Sequence, residues 1–333
     1  MLPVPHDGSG SPFLTTVKRT SLVLLLLLAI AAGAWFFIKK PAEPEAGGRV
    51  TFGKLPAGLA EQFSGEKALA QVRAIVDLGP RPPASEGYEK TLKYLEAEYS
   101  KLGWITKRQS FTRATPNGPV VFTNLLARHS SSSGDWNKSV PVVIGGHLDS
   151  KGMEAFHFVG ANDGGSSTGV IMELARVLAS DPASAAKVEF VLFDGEEAIL
   201  TSITESDGLY GSKYYAQDIS KRSTWPALGI VLDLVGDSTY DFYYNPEATA
   251  SIAATVEKAA EASGLGLKRS LTPIIDDHVP LQHTDLPCLH LIGDFMNMPY
   301  WHQQGDTMEI IDAEALEKTG RTTLRFLATL EAP

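Results

Sequence analysis

The sequence predicts an α/β protein with a mostly parallel central sheet flanked by helices, preceded by one N-terminal transmembrane helix. Three observations carry this expectation. Four short apolar runs, "VPVVIGGH", "VEFVLFDG", "LGIVLDLVG" and "LPCLHLIG", have the length and near-continuous hydrophobicity of strands buried on both faces. Helical stretches lie between and after them, and strands alternating with helices imply a parallel sheet sandwiched by helices. Ser21 to Ile38 is a run of 18 residues without a charge, at the lower end of what crosses a bilayer as a helix.

In chain order, residues 1–20 read as a short N-terminal tail and residues 21–38 as a membrane anchor. A cleaved signal peptide competes, since Ala32-Gly33-Ala34 fits a small-residue cleavage site. Trp35, Phe36 and Phe37, however, continue the apolar run past that point before Lys39 and Lys40 end it. Lys18 and Arg19 on one flank face Lys39 and Lys40 on the other, so flanking charge does not fix the orientation. Both readings place the remainder on the extracytoplasmic side, periplasmic or luminal/extracellular. Residues 39–48, "KKPAEPEAGG", are rich in Pro, Gly and charge and form a linker, and the folded domain occupies 49–333.

Within that domain, "SGEKALAQVRAIVDLG" and "SEGYEKTLKYLEAEYSKLG" carry apolar residues at helical spacing, open on Ser with Glu close behind, and end on Gly. "WITKRQSFTR" and "GPVVFTNLLARH" cluster β-formers like a hairpin. "SSTGVIMELARVLAS", "DGLYGSKYYAQD", "ATASIAATVEKAAEASG" and "DAEALEKTGRTTLRFLATLE" each show a helical apolar stripe. The 333 residues and 44% apolar content suffice for a sizeable core. A net charge of −10 argues against nucleic acid as a partner, because phosphate binding needs clustered Lys and Arg. Cys288 is the single cysteine, so no intrachain disulfide can form.

The chemistry gathers at strand ends, where open α/β sheets bind ligands. "VVIGGHLDS" delivers His147 and Asp149, "FVGANDGGSS" delivers Asp163 just ahead of a helix, "VLFDGEE" delivers Glu196 and Glu197, "IVLDLVG" delivers Asp233, and "YWHQQGDT" supplies His302. Any one of these alone fits a turn cap. Together they converge on one crevice, and a buried cluster of acids is tolerable only if a cation neutralises it. Mixed oxygen and nitrogen donors suit Zn²⁺.

The segments "HLDS", "FVGANDGGSSTGVIMELARVL", "FDGEEA", "LYGSKYYA", "LDLVG", "DDHVP" and "WH" occur in the order found in the glutaminyl-peptide cyclotransferases, which share their fold with the two-zinc aminopeptidases. From about Leu78 to the C-terminus the chain resembles that family, and "GPRPP" looks like the family's segment ahead of the first strands. The resemblance implies a zinc-dependent catalytic domain with Asp163, Glu197 and His302 as metal ligands, one Zn²⁺ expected and two possible. It makes Glu196 the proton shuttle, Asp233 and Asp276 hydrogen-bonding acids that hold the reacting groups, and Trp301 a wall of the substrate pocket. Asp276 is chosen over Asp277 for its offset from "HVP". His147 matches a histidine that the aminopeptidases use for a second metal and that lies beside the site in the cyclases.

The implied substrates are peptides or proteins with N-terminal glutamine, whose α-amine attacks the side-chain γ-carbonyl and expels ammonia. The nucleophile is already tethered, so orientation, carbonyl polarisation by the metal and relocation of a proton are what the site must supply. The sequence departs from the family at Ser202, where animal cyclases tend to have tryptophan. It also departs at Gly146 and Thr168, which match their cysteine pair, and in a shorter loop from Lys151 to Phe158. Two other readings stay open. A membrane-anchored two-zinc aminopeptidase would use the same ligands with Glu196 as base for water. A non-catalytic, receptor-like ectodomain would be expected to have lost ligands that this chain retains.

Overall fold

The computed structural model describes residues 48–331 apart from residue 52. The tail at 1–20, the anchor at 21–38 and all of the 39–48 linker but Gly48 lie outside the described residues. Among the described residues no helix is long and apolar enough to cross a membrane.

Two long strands, β1 (Trp104–Thr115) and β2 (Gly118–His129), form the expected hairpin, in register from Trp104↔His129 to Thr115↔Gly118. The four apolar runs become β3 (Val142–His147), β4 (Val188–Phe193), β5 (Leu228–Asp233) and β8 (Cys288–Gly293), every residue of them buried. They pair in parallel in the order β4-β3-β5-β8. The hairpin extends the sheet antiparallel to β4 on one side. On the other side lie β6 (Phe242–Tyr244) and β7 (Leu267–Arg269). Sequence reading missed this last pair, because three residues are too few to display a period of two.

The helices are α1 (Gly65–Val76), α2 (Glu86–Lys101), α3 (Ser167–Ala179), a single turn α4 (Pro182–Ala185), α5 (Tyr210–Ile219), α6 (Ala250–Ser263), the short α7 (His278–Gln282) and α8 (Ala313–Thr329). Four of them start on a residue whose side chain accepts a hydrogen bond from a first-turn N–H: Ser64, Ser85, Thr249 and Asp312. Strand alternation distributes the cover. Ile144, Phe190, Leu192, Ile230 and Leu232 enter the large core beneath α1, α3, α6 and α8. Val143, Val191 and Val231 point the other way, against Tyr215, Ala216 and Ile219 of α5. This is the mixed, mostly parallel sheet flanked by helices that the alternation of elements predicts.

Chain direction through the parallel strands positions the site. From β3 the chain crosses to β4 on one flank and returns to β5 on the other, so the strand order reverses about β3, and crevices open at the carboxyl ends of strands at such a point. His147 ends β3 and Asp233 ends β5. A buried charge network, Glu189 between Arg128 and Arg222, lies near the opposite end of β4. Its opposite charges pair with one another away from the strand-end cluster.

Candidate active site

Asp163 lies at the centre of the strand-end cluster. The turn that carries it breaks from helical geometry, with ψ of 98° at Asp163 and φ of 79° at Gly164. Gly164 is required there: a Cβ would sit 2.8 Å from the Asp149 carbonyl oxygen and 2.9 Å from His147 Cε1. The two Asp163 carboxylate oxygens face different imidazoles. Oδ1 is 3.1 Å from His147 Nε2, and Oδ2 is 3.3 Å from His302 Nε2. His147 Nε2 also lies 3.1 Å from Asp233 Oδ1, and His302 Nε2 lies 3.0 Å from Glu197 Oε1. Two triads result, His147–Asp163–Asp233 and Asp163–Glu197–His302, sharing one aspartate.

The donor set fits a divalent cation. Asp163 Oδ2 is buried without a hydrogen-bond partner of good geometry. Two donors bonded at about 2.0 Å to one tetrahedral centre lie about 3.3 Å apart, close to the spacings of the Asp163–Glu197–His302 triad. The acids create a strong demand for positive charge. Burial pulls the His302 imidazole down, but the neighbouring Asp163 and Glu197 carboxylates outweigh that and push it up to about 10. Burial raises the Asp163 carboxyl, and the two histidines more than offset this, leaving it well below the usual carboxylate range. Zinc displaces such protons when it binds.

Surrounding groups hold the two triads in place. Asp149 is fully buried, and its two oxygens accept from the backbone N–H groups of Glu196 and Glu197 at 3.2 and 3.3 Å, while its carbonyl oxygen lies 3.1 Å from His147 Nδ1. Thr168 donates to the Gly164 carbonyl at 2.8 Å, tying α3 to the turn that carries Asp163. His302 and Leu234, which follows Asp233, take φ of 53° and 52°. That conformation is costly for non-glycine residues and is retained where surrounding contacts impose it.

Two positioning residues escaped the sequence reading. Asp306 accepts from the backbone N–H groups of Asn162 and Asp163 at 2.6 and 3.1 Å. Fully buried Arg81, in the "GPRPP" segment, donates to the carbonyls of Leu148, Val159 and Gly160 and so staples the His147 and Asp163 loops together. Asp306 lies four residues past His302 and Arg81 sits among prolines. Nothing in residue type or spacing distinguishes either from a surface turn.

A cavity of about 590 Å³ opens on the cluster, lined at depth by Glu196, Glu197, Asp233, Asp276, Trp301 and His302. Glu196 is buried and makes no side-chain hydrogen bond among the described residues. Burial, reinforced by the charges of Asp276, Glu197 and Asp277 and opposed by His147, pushes its carboxyl well above the usual range. Burial likewise raises Asp233, to about 6. Asp276 Oδ2 meets His290 Nε2 at 2.8 Å, and His278 stacks on that imidazole with ring centroids 4.2 Å apart. Asp276 lines the cavity and Asp277 does not. Trp301 stacks on His302 at 4.4 Å and is met edge-on by Phe295 at 4.8 Å. The structure therefore brings together all eight residues singled out: His147, Asp163, Glu196, Glu197, Asp233, Asp276, Trp301 and His302.

An α/β sheet with a ligand cluster of this kind at its switch point is the architecture of a metallopeptidase-type fold, and the chain belongs to peptidase family M28, whose model matches residues 124–327. Glutaminyl-peptide cyclotransferases are among the proteins it matches along most of their length. The glutaminyl-peptide cyclotransferase of Dictyostelium discoideum is 26% identical over 331 residues, covering 84% of this chain and 90% of that one. The crystal structure of Porphyromonas gingivalis glutaminyl cyclase superposes with a TM-score of 0.70 at 26% identity, covering 80% of this chain and 98% of that one. A Zn-dependent exopeptidase from Parabacteroides distasonis is similar at a TM-score of 0.69 and 26% identity, covering 80% and 99%.

Proposed function

We propose that this chain is a zinc-dependent glutaminyl-peptide cyclotransferase, converting N-terminal glutamine of peptides and proteins to pyroglutamate with release of ammonia. The observation that carries the reading is the placement of Glu196, unbonded and with a raised affinity for protons, in a cavity between a ligand triad and the acids Asp233 and Asp276. The full-length likeness to glutaminyl-peptide cyclotransferases supports it.

In this reading Asp163, Glu197 and His302 would hold the ion, which would supply Lewis-acid polarisation of the γ-carbonyl. Asp233 and Asp276 orient the substrate's α-amine and side-chain amide by accepting hydrogen bonds. As the α-nitrogen forms its bond to the γ-carbon and the bond to the side-chain nitrogen breaks, Glu196 takes a proton from the amine and returns it to the leaving nitrogen, which departs as ammonia. A buried carboxyl of raised pKa does both halves of this transfer well. Trp301 covers the substrate's methylenes and keeps bulk water from the carbonyl. Ammonia release from Gln-initiated peptides, with leucyl anilides as controls, tests the reading. Efficient anilide cleavage without cyclisation would replace it.

That replacement has a specific basis: the second triad, His147–Asp163–Asp233, could hold a second ion, as a two-metal aminopeptidase requires. About one zinc per chain supports the cyclase, and two support the peptidase.

Trp301→Ala should raise KM and lower kcat/KM about tenfold with metal content unchanged. Uncovering a substrate's methylenes costs about 1–2 kcal/mol, and about 1.4 kcal/mol is a decade. A large fall in thermal midpoint with normal kinetics would instead assign Trp301 to packing.

We also propose that residues 21–38 hold the chain at a membrane with the catalytic domain on the extracytoplasmic side, on the strength of the 18-residue uncharged run. The protein should resist carbonate extraction and keep its original N-terminus. A soluble mature form beginning at Trp35 would identify a signal peptide.

A further inference from the structure

The loop that carries Trp301 and His302 meets the Asp163 turn on both sides of His302. Downstream, the Asp306 carboxylate accepts from the N–H groups of Asn162 and Asp163. Upstream, the Tyr300 hydroxyl accepts from Asn162 Nδ2 at 3.2 Å and donates to Asp237 Oδ2 at 2.8 Å. Both contacts close on Asn162, which is fully buried and directly precedes Asp163. Tyr300 and Asp237 are buried as well. The segment from Asp233 to Asp237 is pressed onto the same turn. Gly236 N–H donates to Asn162 Oδ1 at 2.8 Å and Val235 N–H to Ser166 Oγ at 3.0 Å, and a Cβ at Gly236 would come within 2.9 Å of Ser166 Cβ. The Tyr300 ring packs with Leu234, Ile292 and Met298, so the ring is seated apart from what its hydroxyl does.

We propose that Tyr300 is a positioning residue for the metal site: its hydroxyl, clasped between Asn162 and Asp237, locks the His302 loop and the segment after β5 onto the Asp163 turn. The proposal rests on the reading of Asp163, Glu197 and His302 as the ion's ligands. His302 and Asp163 come from distant parts of the chain, yet Nε2 of one lies 3.3 Å from Oδ2 of the other. His302 and Leu234 also take left-handed backbone conformations, which persist in non-glycine residues only where neighbours impose them. The clasp ties down both segments. Without the hydroxyl, Asn162 Nδ2 and Asp237 Oδ2 each lose a partner in a place closed to water, a cost that the loops relieve by moving apart. Groups that orient metal ligands from outside the coordination sphere contribute about 10- to 100-fold in metal affinity.

Zinc affinity of the full chain, measured by competition with a chromogenic chelator, tests this without substrate, alongside the thermal midpoint of the metal-free protein. Tyr300→Phe keeps the ring and should weaken zinc binding about tenfold or more. Asp237→Ala opens the clasp from its other end and should weaken binding to the same degree. Combined, the two changes should lose little more than either alone, since they remove one shared contact. Asp237→Asn, whose amide oxygen still accepts from the hydroxyl, should bind zinc as the wild type does. Wild-type affinity in Tyr300→Phe with a lowered midpoint would assign the hydroxyl to stability alone and overturn the proposal, and so would additive losses in the double variant. Should Tyr300→Phe fail to fold, equal affinity in Asp237→Ala and Asp237→Asn would overturn it. His302→Ala is the reference: zinc binding as tight as in the wild type would show the ligand set to be wrong, and the clasp's role with it. A chain that follows the expected affinities but releases no ammonia from Gln-initiated peptides would overturn the cyclotransferase reading alone.

Discussion

Glu196→Gln is expected to retain its metal and to lose on the order of 10²- to 10⁴-fold in turnover, the span that general acid/base catalysis contributes. The substitution nearly preserves shape and leaves the backbone N–H of residue 196 bonded to Asp149, so the ligand loop keeps its course. What it removes is the ability to carry a proton between the attacking amine and the leaving nitrogen. Glu197→Gln is the matched control, because Glu197 Oε1 faces His302 Nε2 at 3.0 Å and its Oε2 meets Lys151 Nζ at 3.3 Å. Replacing that carboxylate should lower metal content as well as rate. Elemental analysis alongside kcat separates the two variants, and equal metal loss in both would reverse the roles assigned to the adjacent pair.

The contrast between these neighbours shows how far sequence carries. Alternating short apolar runs and helical stripes are sufficient for the central sheet, because a strand buried on both faces must be apolar at nearly every position, as β3, β4, β5 and β8 are, apart from buried Glu189 and His290 and the site residues His147 and Asp233. The sheet's far edge was illegible because β6 and β7 have three residues each. At the site, residue types and motif order single out seven side chains that line the cavity and His147 behind them, against Asp163 and Asp233. They do not reveal that Asp163 divides its two oxygens between two imidazoles, a matter of one turn's dihedrals. Nor do they reveal Asp149 gripping the backbone of both glutamates, Asp306 gripping the ligand turn, or Arg81 joining two loops. Each of these acts on backbone groups contributed by distant segments, and such partners leave no periodic or compositional trace.

Asp163→Ala should leave the protein with neither metal nor activity, whereas the flanking histidine variants should differ from each other. Asp163 belongs to both triads, so its removal leaves His302 with Glu197 alone and His147 with Asp233 alone, too few ligands for either position. The ion supplies several kcal/mol of charge stabilisation, so at about 1.4 kcal/mol per decade the loss should be on the order of 10³-fold or more. His302→Ala breaks only the Asp163–Glu197–His302 triad, and His147→Ala only the other. If one zinc operates, in the triad with His302, then His302→Ala should match Asp163→Ala in metal content while His147→Ala keeps about one ion. Loss of one ion of two in each histidine variant would point to the two-metal peptidase. Full metal content in His302→Ala would show that the ion is held by the His147 triad, and the ligand set proposed here would be wrong.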